Sequence, residues 1–452
     1  MGKLFGTDGV RGIANIELTP ELVFSLGRAG SYILAKQDPI IRPRILVGKD
    51  TRISCDMLEA ALLAGICSTG ADVLTVGIIP TPAVAYLTQK YQASCGIVIS
   101  ASHNPVKDNG IKFFDPNGYK LPDKLEQEIE ELVLTDNLQL PCPQGEDIGR
   151  VYDVQEALNN YLNYLISCYA LKEDLDNMTI VVDCANGAAY QAAPELWRRL
   201  GANVIAINDN PNGININDGC GSTHTDSLKK AVMYYKADIG LSYDGDADRC
   251  IAVDEQGREL DGDYIMLICA LDMYRRGELN PAKIVATVMS NIGLDIGLRR
   301  ENISIESCKV GDRYVLEKMI ETGSLLGGEQ SGHIIFSKYA TTGDGILTSL
   351  KLVEVIKRTG LHLSELAREM EKQPQIMVNI EMQNKEKVLT HEIVVAAIER
   401  VEKKLGEFGK MVVRPSGTEP LVRIMAQGPD KRLLEEVIHD IKEAISKSQE
   451  KE

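Results

Sequence analysis

The chain has 452 residues with a formal net charge of −16, and it is 44% hydrophobic and 25% charged. That is the composition of a soluble globular protein too long for a single core. The acidic balance excludes a nucleic-acid backbone as partner, because phosphate attracts the opposite sign; an anionic ligand must be met locally, by a metal ion or a few arginines in a cleft. No apolar run approaches a bilayer span, MGKLFGTDGV lacks a signal pattern, and ten cysteines without a C-x-x-C pair read as reduced, buried thiols. A cytoplasmic protein that meets no membrane is the expectation.

In chain order, GTDGVRG (6–12) places Arg11 in a glycine-rich bend open to an anion, although a surface turn explains the bend as well. RILVGKDTR (44–52) then reads as a strand, MLEAALLAGI as a helix and DVLTVGII as a second strand. A third apolar run, GIVIS, ends on ASHNP, where Ser102 carries a bare hydroxyl beside His103. Asn104-Pro105 and Asn109-Gly110 bracket an exposed loop. Lys112 lies one short strand further on, so a nucleophile and a cation share a neighbourhood. No G-x-S-x-G elbow is present. His103, adjoining Ser102 in sequence, is poorly placed to be its base.

The same order recurs twice. TIVVDCANGAA (179–189), APELWRRLG and NVIAIND are followed by DIGLSY, which ends on DGDADR; KIVATVMSN (283–291), LDIGLRRE and ISIESCK are followed by SLLGGEQSGH. Strand, helix, strand implies parallel pairing, and ligand groups in such sheets collect beyond the carboxyl ends of the strands. DGDADR offers Asp244, Asp246 and Asp248 at alternate positions, with Gly245 and Ala247 leaving room to curl around a hard cation such as Mg²⁺. An EF-hand is excluded: its sixth position must be glycine, which here is Arg249, and the flanks read as strands. In GGEQSGH, an extended segment would point Glu329, Ser331 and His333 the same way. After KQPQ (372–375) the order changes to strand, helix, two strands flanking RPSGTEP, and a final helix. Arg414, Ser416, Gly417 and Thr418 in that loop have the chemistry of a phosphate cradle, or of an ordinary hairpin. The expected fold class is α/β: three degenerate repeated mixed α/β domains (1–150, 151–254 and 255–371) and a smaller C-terminal α+β domain (372–452) around one central cleft.

Taken together, these loops resemble the α-D-phosphohexomutase superfamily over nearly the whole chain. GTDGVRG, SASHNPVKDNGIKFF, VVDCANGAAY, GGEQSGHI, TTGDGILTSL and RPSGTEPLVRIM are similar to its bacterial phosphoglucosamine mutase branch. Ala247 departs from the glycine frequent in that branch, a change compatible with the same turn. The resemblance implies an isomerase that interconverts glucosamine 6-phosphate and glucosamine 1-phosphate through a covalent phosphate on Ser102, with a hexose bisphosphate as intermediate and activator. It further implies one Mg²⁺ held by Asp244, Asp246, Asp248 and phospho-Ser102, with Arg11, His103, Lys112 and Arg249 around the transfer site. Glu329, Ser331 and His333 would hold the sugar, and Arg414, Ser416, Gly417 and Thr418 the remote phosphate. Partners would be the phosphosugar and a second copy of the chain. A phosphomannomutase or phosphoglucomutase, a non-catalytic sugar-phosphate sensor and a Mg²⁺ phosphatase are the alternatives.

Overall fold

The computed structural model describes residues 4–6, 8–35, 42–135, 140–171, 174–382, 388–415 and 421–449. Among these residues, strands β1 (Phe5–Gly6), β2 (Gly9–Ile13), β3 (Arg44–Lys49), β4 (Asp72–Ile78), β5 (Cys95–Ile99), β6 (Asp108–Phe114) and β7 (Val151–Asp153) form a sheet in the order β1-β2-β6-β5-β3-β4-β7. Alternate residues of a strand face opposite sides. Ile45 and Val47 accordingly pack into the core made with helices Pro20–Ala35, Ser54–Cys67 and Asp123–Leu134, while Leu46 and Val98 join helix Thr81–Lys90 on the other face. A parallel sheet with both faces covered explains why its strands read as unbroken apolar runs.

The second sheet contains β8 (Thr179–Asp183), β9 (Asn203–Ile207), β10 (Ile239–Tyr243), β11 (Cys250–Asp254) and β12 (Glu259–Leu260), in the order β12-β11-β10-β8-β9. The third contains β13 (Lys283–Thr287), β14 (Ser304–Cys308), β15 (Leu326–Gly328) and β16 (Ile334–Phe336), in the order β14-β13-β15-β16. The repeat expected from the sequence is therefore present. In each block the first strand pairs in parallel with the second and third. Each block also has a fourth strand, antiparallel to the third, which the three-run pattern did not count. The Ser102 loop, the aspartate loop and the GGEQSGH loop are thus the same connection, third strand to fourth, in three copies.

The cores are not three. Leu46 and Val98, Ile180 and Val182, and Ile284 and Ala286 all belong to one buried cluster, so the first three blocks share an interior on one face of each sheet, while the opposite faces keep clusters of their own around Val47, Val181 and Val285. The last segment is separate: β17 (Gln375–Glu381), β18 (Lys410–Pro415) and β19 (Leu421–Gln427) form an antiparallel sheet ordered β17-β19-β18. Helices Glu392–Leu405 and Lys431–Gln449 cover it through their own cluster, including Val394, Val401, Ile424, Val437 and Ile441. All ten cysteines are free and most are buried. Among the described residues no helix is long and apolar enough to cross a membrane.

Candidate active site

Ser102 follows β5 with its backbone in the left-handed region, at φ +52°, a conformation that costs a non-glycine residue about 1 kcal/mol or more. Neighbours hold it there. Its N–H donates to Ser100 Oγ at 3.0 Å. Arg52, fully buried, donates through Nη2 to the carbonyls of Ser102 and Asn104, both at 2.9 Å, and through Nη1 to that of Pro105 at 2.7 Å. Its Nε pairs with Asp50 Oδ2 at 3.0 Å, which also accepts from Ser100 Oγ at 2.6 Å. From the second block, Asn217 Nδ2 donates to the same Ser102 and Asn104 carbonyls at 2.9 and 3.2 Å. A guanidinium has its donors in a rigid fork, so one side chain can fix three carbonyls of one loop.

The three aspartates converge beneath this hydroxyl. Asp244, Asp246 and Asp248 are buried, and one carboxylate oxygen of each lies within 4.8 Å of the others. Ser102 Oγ donates to Asp244 Oδ2 at 2.5 Å, and Asp244 Oδ1 accepts the Arg249 N–H at 3.1 Å. Asp246 Oδ2 accepts from Lys112 Nζ and Thr81 Oγ1, each at 2.7 Å. Asp246 Oδ1 and Asp248 Oδ1 are buried and accept no hydrogen bond. Buried oxygens without donors are costly, and hard oxygens at this spacing fit a divalent cation. The charges agree. Burial, then Asp248 and Asp246, hold the Asp244 carboxyl well above its ordinary range, and burial followed by Asp246 raises Asp248. At Asp246 burial is outweighed by Lys112, and the group is pushed down. Gly245 lets the loop approach: a Cβ there would stand 2.5 Å from the Ser102 carbonyl oxygen. Ala247 adopts φ +59°, in the left-handed region that favours glycine.

His103 Nδ1 lies 3.3 Å from Ser102 Oγ, closer than adjacency in sequence led us to expect. Burial, then Arg249 and Arg11, lower its imidazole to about 4, so the ring is neutral. Arg11 pairs with Asp8. Lys112 Nζ lies 3.1 Å from Asp8 Oδ2 and 4.0 Å from Asp248 Oδ2. Lys120 bonds both Asp8 and Asp312, and Asp312 Oδ2 stands 3.7 Å from His333 Nε2, which is 4.0 Å from Asp248 Oδ2. The result is a closed ring of side chains, Lys112, Asp8, Lys120, Asp312, His333, Asp248 and back to Lys112, which also holds Asp246, drawn from all three blocks.

The sugar loop differs from its expected form. Residues 329–332 make a tight turn between β15 and β16, with the Gly332 N–H on the Glu329 carbonyl at 3.0 Å, so Glu329, Ser331 and His333 do not lie on one extended face. Glycines at 328 and 332 favour turning over extension. Glu329 Oε1 accepts the Gly311 N–H at 3.0 Å, Ser331 Oγ is buried without a partner, and His333 turns toward the aspartates. Arg414 sits on β18 opposite Arg423 on β19, and burial followed by Arg423 lowers it, the signature of two cations on one hairpin. Ser416, Gly417 and Thr418 lie outside the described residues. The sequence reading missed Arg52, Asn217, Thr81, Asp8, Lys120, Asp312 and Arg423. Arg52 carried a local signal, the polar DTR that ends its strand, and Asp8 lay within GTDGVRG beside Arg11.

The chain belongs to the phosphoglucomutase/phosphomannomutase family: alpha/beta/alpha domain I matches residues 2–139, domain II residues 159–257, domain III residues 261–373 and the C-terminal domain residues 377–444. It is 72% identical over 449 residues to the phosphoglucosamine mutase of Syntrophomonas wolfei subsp. wolfei, covering 99% of this chain and 100% of that one. Among solved structures, a phosphoglucomutase/phosphomannomutase family protein from Burkholderia thailandensis superposes with a TM-score of 0.82 at 22% identity, covering 98% of this chain and 97% of the other. Aspergillus fumigatus N-acetylphosphoglucosamine mutase, in complex with GlcNAc-6P and magnesium, superposes at 0.68 and 18% identity, over 98% and 96% of the two chains. The phosphohexomutase resemblance, with its glucosamine branch and its four-domain α/β fold, is borne out.

Proposed function

We propose that this protein interconverts glucosamine 6-phosphate and glucosamine 1-phosphate, with Ser102 as the phosphoryl carrier. The observation that carries the reading is the short contact from Ser102 Oγ to Asp244 Oδ2, made in a buried triad with two oxygens lacking donors. Asp244, Asp246, Asp248 and an oxygen of phospho-Ser102 would hold Mg²⁺, which supplies charge neutralisation on the transferring phosphoryl group.

The chain's own residues do the rest. Arg52 and Asn217 keep the carrier oxygen in place, so the barrier is lowered by positioning. A substrate hydroxyl forms a bond to the phosphorus of phospho-Ser102 as the bond to Oγ breaks. Lys112 and Arg249 bear positive charge beside the group being transferred. His103, neutral and 3.3 Å from Oγ, is placed to exchange a proton with that oxygen. The bisphosphate so formed turns over and returns its other phosphoryl group to Ser102. Arg414, with Ser416, Gly417 and Thr418, grips the phosphate that is not reacting, and Glu329, Ser331 and His333 hold the sugar from the β15–β16 turn, with His333 on the side of the aspartates. Arg11 stands near the transfer site through its pair with Asp8. The working domain limits remain 1–150, 151–254, 255–371 and 372–452, and a homodimer in the cytoplasm is the proposed state.

The test is kcat/KM for glucosamine 6-phosphate against glucose 6-phosphate and mannose 6-phosphate, with Mg²⁺ and a hexose bisphosphate present. Preference for the amino sugar supports the reading. Preference for a neutral hexose keeps the chemistry and overturns the substrate, release of free phosphate points to a phosphatase, and binding without turnover to a sensor.

A further inference from the structure

The amino sugar differs from its neutral counterparts by one ammonium group, and a site that prefers it must offer that group an anion. The carboxylates around the cleft are unequal in this respect. Asp244, Asp246 and Asp248 converge on the cation position. Asp8 already faces Lys112, Lys120 and Arg11. Glu329 has one oxygen committed to the Gly311 N–H. Asp312 Oδ1 accepts the Arg313 N–H at 2.8 Å, while its Oδ2 rests on one displaceable ammonium, that of Lys120, which it shares with Asp8.

Its placement suits the task. Asp312 opens helix Asp312–Thr322, and the residue before it, Gly311, is bonded to Glu329 of the sugar loop, so the two carboxylates are tied to one corner. Asp312 Oδ2 lies 3.7 Å from His333 Nε2, within the same loop cluster. Asp312, Lys120 and His333 together line a cavity of about 230 Å³ between residues 115–122 and helix Asp312–Thr322. The ammonium of Lys120 already rests on this carboxylate, which shows that its surroundings accept a primary ammonium.

We propose that Asp312 is a specificity-determining residue: its carboxylate receives the C2 ammonium of the substrate and thereby sets preference for amino over neutral hexose phosphates. The inference rests on the glucosamine reading above. Lys120 then acts as a placeholder that shifts toward Asp8 when the substrate amine arrives.

The experiment measures kcat/KM of the full-length enzyme and its Asp312→Asn variant for glucosamine 6-phosphate and glucose 6-phosphate, with Tm confirming the fold. A hydrogen bond between charged groups supports a loss of about 10- to 100-fold, expected for the amino sugar alone, with the neutral sugar within about threefold. Equal losses for both sugars, or an unchanged ratio, overturn the assignment. Lys120→Gln separates the carboxylate from the clasp: the amino-to-neutral ratio should hold or rise, and a fall matching that of Asp312→Asn assigns the effect to the Lys120 bridge instead. If the wild-type enzyme itself prefers the neutral sugar, the substrate reading has failed, and this inference with it. That outcome is visible before any variant is made.

Discussion

The carrier serine and the C-terminal domain are held in opposite ways. Around Ser102, groups from three blocks meet over one shared interior, and the serine's own N–H, carbonyl and hydroxyl are all bonded by buried partners. The C-terminal domain, with Arg414, has its own core, and the polar bonds that tie it to the third block include Ile292 N to Gln427 Oε1 at 2.8 Å, Lys410 Nζ to the Ser290 carbonyl at 3.0 Å and the Asn291–Gln373 pair. The difference separates chemistry from grip. A transfer centre gains from rigidity, whereas a phosphate cradle that must admit, hold and release a reorienting bisphosphate gains from being a body that can close and open.

The contrast breaks most sharply at Ser102→Ala, which should lower turnover by about 10⁴-fold or more while Tm stays near that of the wild type. Near-normal turnover would end the carrier role. Arg52→Met comes next: it leaves Asp50 buried and uncompensated, a change worth about 3–5 kcal/mol of stability, measurable by urea unfolding, and it should lower serine phosphorylation as the loop loses its clamp. A stability loss under about 1 kcal/mol would show that the clamp is ornamental. On the other side, Arg414→Ala should raise KM by about 10- to 100-fold through a lost charge-assisted contact, with phosphorylation of Ser102 by a bisphosphate preserved. Loss of phospho-Ser102 at unchanged KM would merge the two regions into one.

The smallest effect tests the joint between them. Burial, then Asp261, raise the Asp263 carboxyl to about 7, and its Oδ2 accepts the Asn291 N–H at 2.7 Å. A carboxyl raised in the folded state stabilises fully below its unfolded value, and that contribution is lost as pH climbs through the folded one. Stability should therefore decline between about pH 4 and pH 7, and Asp263→Asn should flatten the decline in Tm. An unaltered slope in the variant assigns the pH dependence elsewhere.

Much of this was legible in the sequence because it is local. Apolar runs such as RILVGK and KIVAT gave the strands, the helical stretches between them gave parallel pairing, and the polar residues after the third run marked the loops that carry Ser102 and the aspartates. The clamp and the ring were not legible, since Lys120 and Asp312 lie 192 positions apart and Ser102 and Asn217 lie 115 apart; no periodicity encodes such meetings. The sugar loop was misread for a different reason. Alternation of Glu329, Ser331 and His333 suggested a strand, but the flanking glycines allow a tight turn that closes the β15–β16 hairpin.

The three site loops of the first blocks share one further property. Each is the connection of an antiparallel hairpin, pinned at both ends by ladder hydrogen bonds between neighbouring strands, whereas the outer connections that lead from a helix back into the next strand, such as those between Cys67 and Asp72 or between Arg199 and Asn203, carry none of the site residues. Descendants of such a chain can lengthen or shorten those outer connections freely, but a single residue inserted into a hairpin shifts its register or bulges it and re-aims the side chains it presents. Divergence within this architecture should therefore be written as length variation on the periphery and as one-for-one substitution at the centre.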